Sequence, residues 1–186
     1  MNRSLTRIAF AATASFALLT AGCGGESGKA LPGTTTETTI STSSPSATGK
    51  TGDSKLAALK PCDLLTETEV TALGLTNPGE AEKIASAETC DWKQSGNGGL
   101  LVGIRAKQGI KDLTLTGTKS PTKIGKYEAT KIEALDGAPN SCAVIIPVSE
   151  SSSVQIIGNF TASSTDTAGA CERATKAAEL IAPKLP

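Results

Sequence analysis

The sequence predicts an α+β fold over residues 59–186: an antiparallel sheet with N-terminal and C-terminal helices packed against it. Three observations predict this class. A helix-capping pattern stands at the start of the region, alternating apolar and polar segments separated by turn signals fill its middle, and an alanine-rich stretch with helical spacing ends it. A region of this length corresponds to one domain.

The first helix is predicted to be capped at Thr66. The run from Thr66 to Glu69 matches the capping box, in which the threonine side chain and a glutamate three residues later each bond the other residue's backbone N–H group. Val70 and Leu73 follow on one side of the helix. Gly74 is the expected C-terminal cap, because glycine readily adopts the left-handed conformation that ends many helices.

The sequence in the middle of the domain predicts strands joined by turns. Residues Ser95–Gly99 are of types that strongly favour a turn between the first two strands, and residues 149–153 are predicted to join the last two strands as a hairpin. The stretch from Gln108 to Thr122 is ambiguous and is assigned as a loop with a short helix. The predicted strands are Glu88–Lys93, Leu100–Lys107, Ile124–Ile132, Cys142–Val148 and Val154–Thr161.

The last element is predicted to be a helix from Thr167 to Ala182. Its alanines and Ile181 recur at helical spacing, and Pro183 marks the end because proline cannot continue a helix. Helix, strands and helix in this order give the α+β class.

Residues 1–22 have the layout of an export signal. Arg3 and Arg7 form a positive start, an apolar stretch follows from Ile8 to Leu19, and small residues precede Cys23. The apolar stretch is too short for a membrane-spanning helix, which needs about 20 residues. We therefore predict a signal peptide over 1–22.

Cys23 is the predicted lipid-attachment site. Small residues directly before a cysteine resemble the bacterial lipobox, although Thr20 stands where leucine is usual and Leu19 lies one place earlier. The alternative is an ordinary secretory signal with an incidental cysteine. A diacylglyceryl group on the thiol would supply two acyl chains, which suffice for stable anchoring.

The segment 23–58 is predicted to combine the lipidated cysteine with a flexible tether rich in threonine and serine. Its few large apolar side chains cannot offset the entropy lost on ordering. We therefore expect a domain held through a lipid anchor at the outer, extracytoplasmic face of the bacterial cytoplasmic membrane.

Four further cysteines lie in the domain, and an exported protein favours disulfide bonds between them. We predict the pairs Cys62–Cys90 and Cys142–Cys171, which close loops of similar size and tie each terminal helix to a strand. A four-cysteine zinc site is the alternative. It is disfavoured because zinc ligands usually come in closely spaced pairs.

Composition disfavours most catalytic and nucleic-acid functions. The chain has no histidine, which excludes Ser-His-Asp and Cys-His machinery. Residues 59–186 contain 13 Lys and Arg against 15 Asp and Glu, whereas nucleic-acid-binding domains are usually basic. Acidic pairs such as Glu67/Glu69 and Glu80/Glu82 are explained by capping and by a solvated surface. We expect no catalytic residue, no metal, no cofactor and no nucleic-acid partner.

One segment is locally basic, although the domain as a whole has a net charge of −2. Such asymmetry favours an anionic partner, such as lipid headgroups, wall polymers or an acidic protein surface. The alternative is that lysines keep strand edges soluble. The predicted anionic-partner surface consists of Arg105, Lys107, Lys111, Lys119, Lys123, Lys126 and Lys131.

Several short motifs resemble an actinobacterial lipoprotein family, the domain of unknown function 3558. They are the run from Pro61 to Thr66, Cys90-Asp91-Trp92, the run from Lys126 to Ala129, and Cys171 at the start of the last helix. The resemblance implies an exported, lipidated, disulfide-bonded protein of the cell envelope and assigns no catalytic residue. The fold it implies resembles the PsbP/Mog1 type, an antiparallel sheet between helices.

Together these patterns predict a lipid-anchored envelope lipoprotein that acts as a non-enzymatic binding or interaction module for an envelope protein or an anionic ligand. Two alternatives stay open. One is an envelope hydrolase or transferase that uses carboxylates or Ser/Lys. The other is a structural surface component.

Overall fold

A computed structural model describes residues 48–186, with the side chains of 48–51 and Ser54 left out. These residues form one seven-stranded antiparallel sheet with helices on one face, which confirms the α+β class. The strand order is β1-β2-β3-β7-β6-β5-β4. The strands are β1 Glu80–Ile84, β2 Ala87–Lys93, β3 Gly99–Arg105, β4 Thr118–Ile124, β5 Tyr127–Glu133, β6 Ser141–Pro147 and β7 Ser153–Asn159. The helices are α1 Thr48–Ala57, α2 Glu67–Ala72 and α3 Thr167–Ile181.

Alternation along the central strands creates the main core. Val102 of β3, Ile156 of β7 and Val144 of β6 stand side by side in the register and are fully buried. Helix α3 packs on β6 and β7 through a stripe of alanines and Ile181. Small side chains let this helix approach the sheet closely, so the prediction of a C-terminal helix packed against the sheet is confirmed.

Helix α2 begins as predicted. The Thr66 hydroxyl accepts the backbone N–H of Glu69, while a Glu69 carboxylate oxygen accepts the backbone N–H of Thr66 at 2.7 Å. Gly74 follows the helix with φ +72°, the left-handed conformation expected of its cap. Val70 is 1% exposed and belongs to the main core, so this short helix is fixed to the same face of the sheet.

Helix α1, Thr48–Ala57, lies within the segment predicted as a tether. Leu56 is completely buried in the main core. Asp53 accepts hydrogen bonds from the hydroxyls of Ser149 and Ser151 in the β6–β7 turn. Two glycines and one large apolar residue give α1 a weak helical signal, so tertiary contacts rather than local propensity hold it. Residues 23–47 of the predicted tether lie outside the described residues.

The two edge strands differ from the prediction. The sequence assigned no strand to β1, and it assigned Gln108–Thr122 to a loop with a short helix. The short helix is present as a 3₁₀ turn at Ile110–Asp112, but the chain then enters β4 at Thr118. The predicted strand Ile124–Ile132 is present as β5, but its predicted start is wrong, because Ile124 ends β4 and Gly125 and Lys126 form the turn between the two strands.

The connection from β3 to β4 crosses the second face of the sheet. It carries the chain past β7, β6 and β5, because β4 lies at the far edge. Ile110, Leu113 and Leu115 from this connection pack against a second cluster that contains Ile132 and Ile145. The second face is therefore covered by a loop, whereas the first is covered by helices.

Candidate functional site

Both predicted disulfide pairs are confirmed. Cys62–Cys90 joins a 3₁₀ turn, Pro61–Leu64, to β2 with a Cα–Cα distance of 5.1 Å. Cys142–Cys171 joins β6 to α3 with a Cα–Cα distance of 4.9 Å. Each bond connects a helical segment to the sheet, as the prediction required.

The Cys62–Cys90 bond is flanked by two open grooves. The first groove, of about 520 Å³, runs between the segment 57–63 and the β1–β2 hairpin. The second groove, of about 800 Å³, lies between the start of α2 and the segment 77–79, with Trp92 in its wall. Cys62 and Asp63 line both grooves, so the run from Pro61 to Thr66 that carries the family resemblance forms their common wall.

The first groove has a mixed lining. Alanines and Leu59 supply apolar surface, while Lys60, Glu82 and Glu88 supply charge at its rim. A smaller cavity of about 270 Å³ shares Leu59 and Glu88 with it and extends toward Arg105. An open groove of this kind offers a contact surface for a ligand or a protein segment. It does not enclose a substrate away from water.

Five of the seven predicted basic residues gather at one end of the sheet. The register places Arg105 of β3 beside Ser153 of β7, which lies beside Pro147 of β6. The β4–β5 turn, which contains Lys126, closes at this same end, and Lys123 precedes that turn. We call this the basic end. It consists of Arg105, Lys107, Lys111, Lys123 and Lys126.

Lys111 reaches the basic end through the β3–β4 connection. The backbone of Gly109 lies against the Glu150 carbonyl of the β6–β7 turn, so closely that a Cβ atom at this position would collide with it. The Asp112 carboxylate accepts the Gly109 N–H at 2.9 Å. These contacts fix the start of the connection beside the hairpin and leave the Lys111 side chain exposed.

The other two predicted basic residues lie elsewhere. Lys119 stands near the opposite end of β4, about 13 Å along the strand from Lys123. Lys131 lies further along β5, toward that same end, and its ammonium group pairs with Glu133 at 2.8 Å. The seven predicted residues therefore do not form one surface. The chain reverses direction between the antiparallel strands β4 and β5, so Lys119 and Lys131 lie toward the end of the sheet opposite Lys123 and Lys126.

The cationic side chains of the basic end differ in their exposure and in how far neighbouring groups bind them. Arg105 is half-buried, and its guanidinium donates to the side-chain oxygens of Gln155 at 3.0 Å and Gln108 at 3.0 Å. Burial lowers the pKa of Arg105 from its ordinary value. Lys126 lies over the Tyr127 ring at 5.0 Å, and Lys123 is 4.0 Å from the Glu128 carboxylate, with both side chains largely exposed.

The sequence interpretation missed two features of these sites. Ala81 and Glu82 line the first groove from β1, a strand that was not predicted. The second is Asp53, whose two serine partners, Ser149 and Ser151, are 96 and 98 residues away in the chain. The hydroxyls of Ser149 and Ser151 lower the pKa of the Asp53 carboxyl below its ordinary value of 3.8. No local pattern signals either feature.

Within residues 48–186, no three His, Cys, Asp or Glu side chains are grouped in a way that could hold a metal ion. In that same part of the chain, no helix has the length and apolar character needed to cross a membrane. Cys23, the predicted lipidation site, lies outside the described residues.

Comparison with curated proteins and with solved structures gives no match. A family model described as "Protein of unknown function (DUF3558)" matches residues 18–184. The matched range includes Cys23 and all four disulfide-bonded cysteines, and it confirms the resemblance carried by the motifs around Cys62 and Cys90. The chain belongs to the DUF3558 family.

Proposed function

We propose that this chain is an exported cell-envelope lipoprotein whose domain acts as a non-enzymatic binding module. A signal peptide over 1–22 would direct export, and acylation of Cys23 would hold the domain at the outer face of the cytoplasmic membrane. Two disulfide bonds support this location, because such bonds persist in oxidising compartments outside the cytosol.

The binding role depends on one observation, the pair of open grooves that share the wall at Cys62 and Asp63. The Cys62–Cys90 bond and the capping box of α2 make that wall rigid, and a preformed surface loses little entropy on binding. Exposed β1 forms the opposite side of the first groove. The partner proposed for this surface is another protein of the envelope.

Crosslinking in intact cells, followed by mass spectrometry, tests this role. Ala81→Arg places a long cation in the first groove from an exposed position on β1. Ala162→Arg is the matched control, because Ala162 is also exposed and does not line either groove. We expect the wild-type protein and the Ala162→Arg protein to capture the same recurrent partners and the Ala81→Arg protein to lose them. Identical partner sets for all three proteins would contradict a role for this groove.

A second pair of variants tests whether Cys23 anchors the protein to the membrane. Cys23→Ala removes the thiol that is proposed to carry the acyl chains, while Ser27→Ala changes a nearby small polar residue and leaves the thiol in place. We expect the first variant to leave the membrane fraction and lose its partners, and the second to behave as wild type. Membrane retention of the Cys23→Ala protein would refute anchoring through this residue.

For the fold we propose the PsbP/Mog1 type. The antiparallel sheet with α3 and α2 packed on it supports this proposal, whereas the loop that covers the second face differs from a sheet enclosed between helices. An experimental structure of the chain, compared strand by strand with that type, tests it, and a different strand order would refute it.

A further inference from the structure

We propose that the basic end of the sheet docks on anionic lipid headgroups, so that the domain rests on the membrane with this end facing the bilayer. The inference depends on the proposed function for the anchor at Cys23. It adds the orientation of the domain and the chemical class of surface that it contacts.

The charge distribution is the first support. Besides its five members, the basic end has Lys83 at the close of β1, and the acidic side chains near it are Asp53, Glu88, Asp112, Glu128 and Glu150. Six cations therefore stand against five carboxylates. The remainder of residues 59–186 has seven cations and eleven carboxylates. The domain is thus polarised, with a small net positive charge at one end of the sheet and a net negative charge over the rest.

Several carboxylates at this end are already engaged by the protein. Glu88 pairs with Lys83 at 3.1 Å, and the Asp112 carboxylate accepts the Gly109 N–H. The ammonium groups of Lys107, Lys111 and Lys126 form no ion pair among the described residues, and all three side chains are exposed. They are available to an external anionic surface.

The way the chain enters the domain is the second support. Asp53 attaches helix α1 to the β6–β7 turn, which lies at the basic end, through hydrogen bonds from Ser149 and from Ser151 at 2.6 Å. Between Cys23 and the first residue of α1 lie 24 residues. Whatever their conformation, they span at most about 85 Å. An anchor at Cys23 therefore keeps the basic end, where Asp53 fixes α1, no more than about 85 Å along the chain from the headgroups.

The spacing of the cations fits a broad surface. They stand on β3, on the β3–β4 connection and at the β4–β5 turn, and β3 is about 19 Å from β4 across four strand spacings. A small anion is bound by side chains that converge on one point, and these side chains do not converge. An anionic leaflet attracts each basic residue within about one Debye length of its surface, so separated lysines act together.

Lysine footprinting of the natural lipidated protein tests the inference. The full chain, purified from host membranes, is reconstituted into phosphatidylcholine vesicles and into vesicles that also contain phosphatidylglycerol. The rate at which an amine-reactive reagent acylates each lysine is then measured by mass spectrometry. Lys93 and Lys176, which lie away from the basic end, are controls within the same molecule.

We expect Lys107, Lys111 and Lys126 to react about threefold more slowly on the anionic vesicles, with Lys93 and Lys176 unchanged. The protection should disappear in 1 M salt, where the Debye length falls to about 3 Å. Equal rates on both kinds of vesicle would overturn the inference. Protection that appears only when other envelope proteins are added would also overturn it, because the partner would then be a protein.

Charge reversal gives a second test. In the Lys107→Glu/Lys126→Glu protein we expect the protection of Lys111 to be lost, whereas the Lys119→Glu/Lys176→Glu protein should keep it. If both double variants retain the protection, the inference is wrong. The anchor and the docking are tested by different measurements. An intact mass without acyl chains would refute the anchor. The footprint of that same unacylated chain, measured with added anionic vesicles, would still show whether the basic end docks.

Discussion

Replacing Leu56 with alanine tests whether helix α1 belongs to the folded domain. Leu56 is fully buried among the side chains of the main core, although it lies in a segment whose composition predicts a flexible tether. Alanine keeps the helix propensity of the site and removes only the packing. The change in the free energy of unfolding therefore measures how much the packing of α1 against the core contributes to stability.

The expected loss follows from the buried volume. Three carbon groups leave the core, each worth about 0.8 kcal/mol in transfer free energy, and the cavity left behind adds to this cost. We expect the free energy of unfolding to fall by about 3 kcal/mol, which for a domain of this size lowers Tm by roughly 10 °C. Lys55→Ala on the same helix is the control, and it should change the free energy of unfolding by at most about 0.5 kcal/mol, because Lys55 is exposed.

Urea unfolding followed by tryptophan fluorescence measures both variants. Trp92 is the single tryptophan of the chain and lies in the same core cluster as Leu56, so its emission reports unfolding of that cluster. A Leu56→Ala protein as stable as the Lys55→Ala protein would refute the packing of α1. The folded domain would then begin near residue 59, as the composition alone predicts.

Three further predictions concern other contacts. Replacing Cys142 and Cys171 together with alanine should cost about 3–4 kcal/mol by the chain-entropy model for a loop of this size, and a peptide linking Cys142 to any other cysteine in the wild-type protein would contradict the pairing. Arg173→Lys should lower the free energy of unfolding by about 2 kcal/mol, because one guanidinium nitrogen donates to the backbone carbonyls of Gly99 and Asn159 while the other donates to the Gln94 side-chain oxygen, and a single ammonium group cannot occupy both positions; an equally stable lysine variant would show that this network contributes little. Asp53 has a lowered pKa, so its contribution to stability is present above the unfolded pKa of about 4 and is lost as the pH falls through the folded value; the gap in stability between wild type and Asp53→Asn should therefore narrow from pH 6 to below pH 3, and a constant gap would contradict the serine contacts.

The elements that the sequence predicts well have local signals. The capping box at Thr66 and Glu69 and the left-handed Gly74 are defined by residues within one or two helical turns. The β6–β7 hairpin is equally local, because two apolar strands flank a short run of serines. The disulfide pairs are predictable because each half of the domain has a helical segment and a strand, each with one cysteine.

The elements that it misses are held by tertiary contacts. Strand β1 has five exposed residues and three charges, so its alternation is not apolar and only pairing with β2 makes it a strand. Strand β4 contains Pro121, which an edge strand tolerates because the missing N–H faces solvent. Helix α1 depends on Leu56 and on serines far away in the chain. The basic end could not be predicted either, because strand register decides which lysines meet.

Mass spectrometry of the amino-terminal tryptic peptide from the natural host tests the central claim most directly. Cleavage after Lys29 should release a peptide that begins at Cys23 and carries a diacylglyceryl group on its thiol, with no peptide from residues 1–22 in the membrane-bound protein. An unmodified peptide, or one that continues upstream through Gly22, would contradict lipid anchoring and with it the location on which the proposed binding role depends.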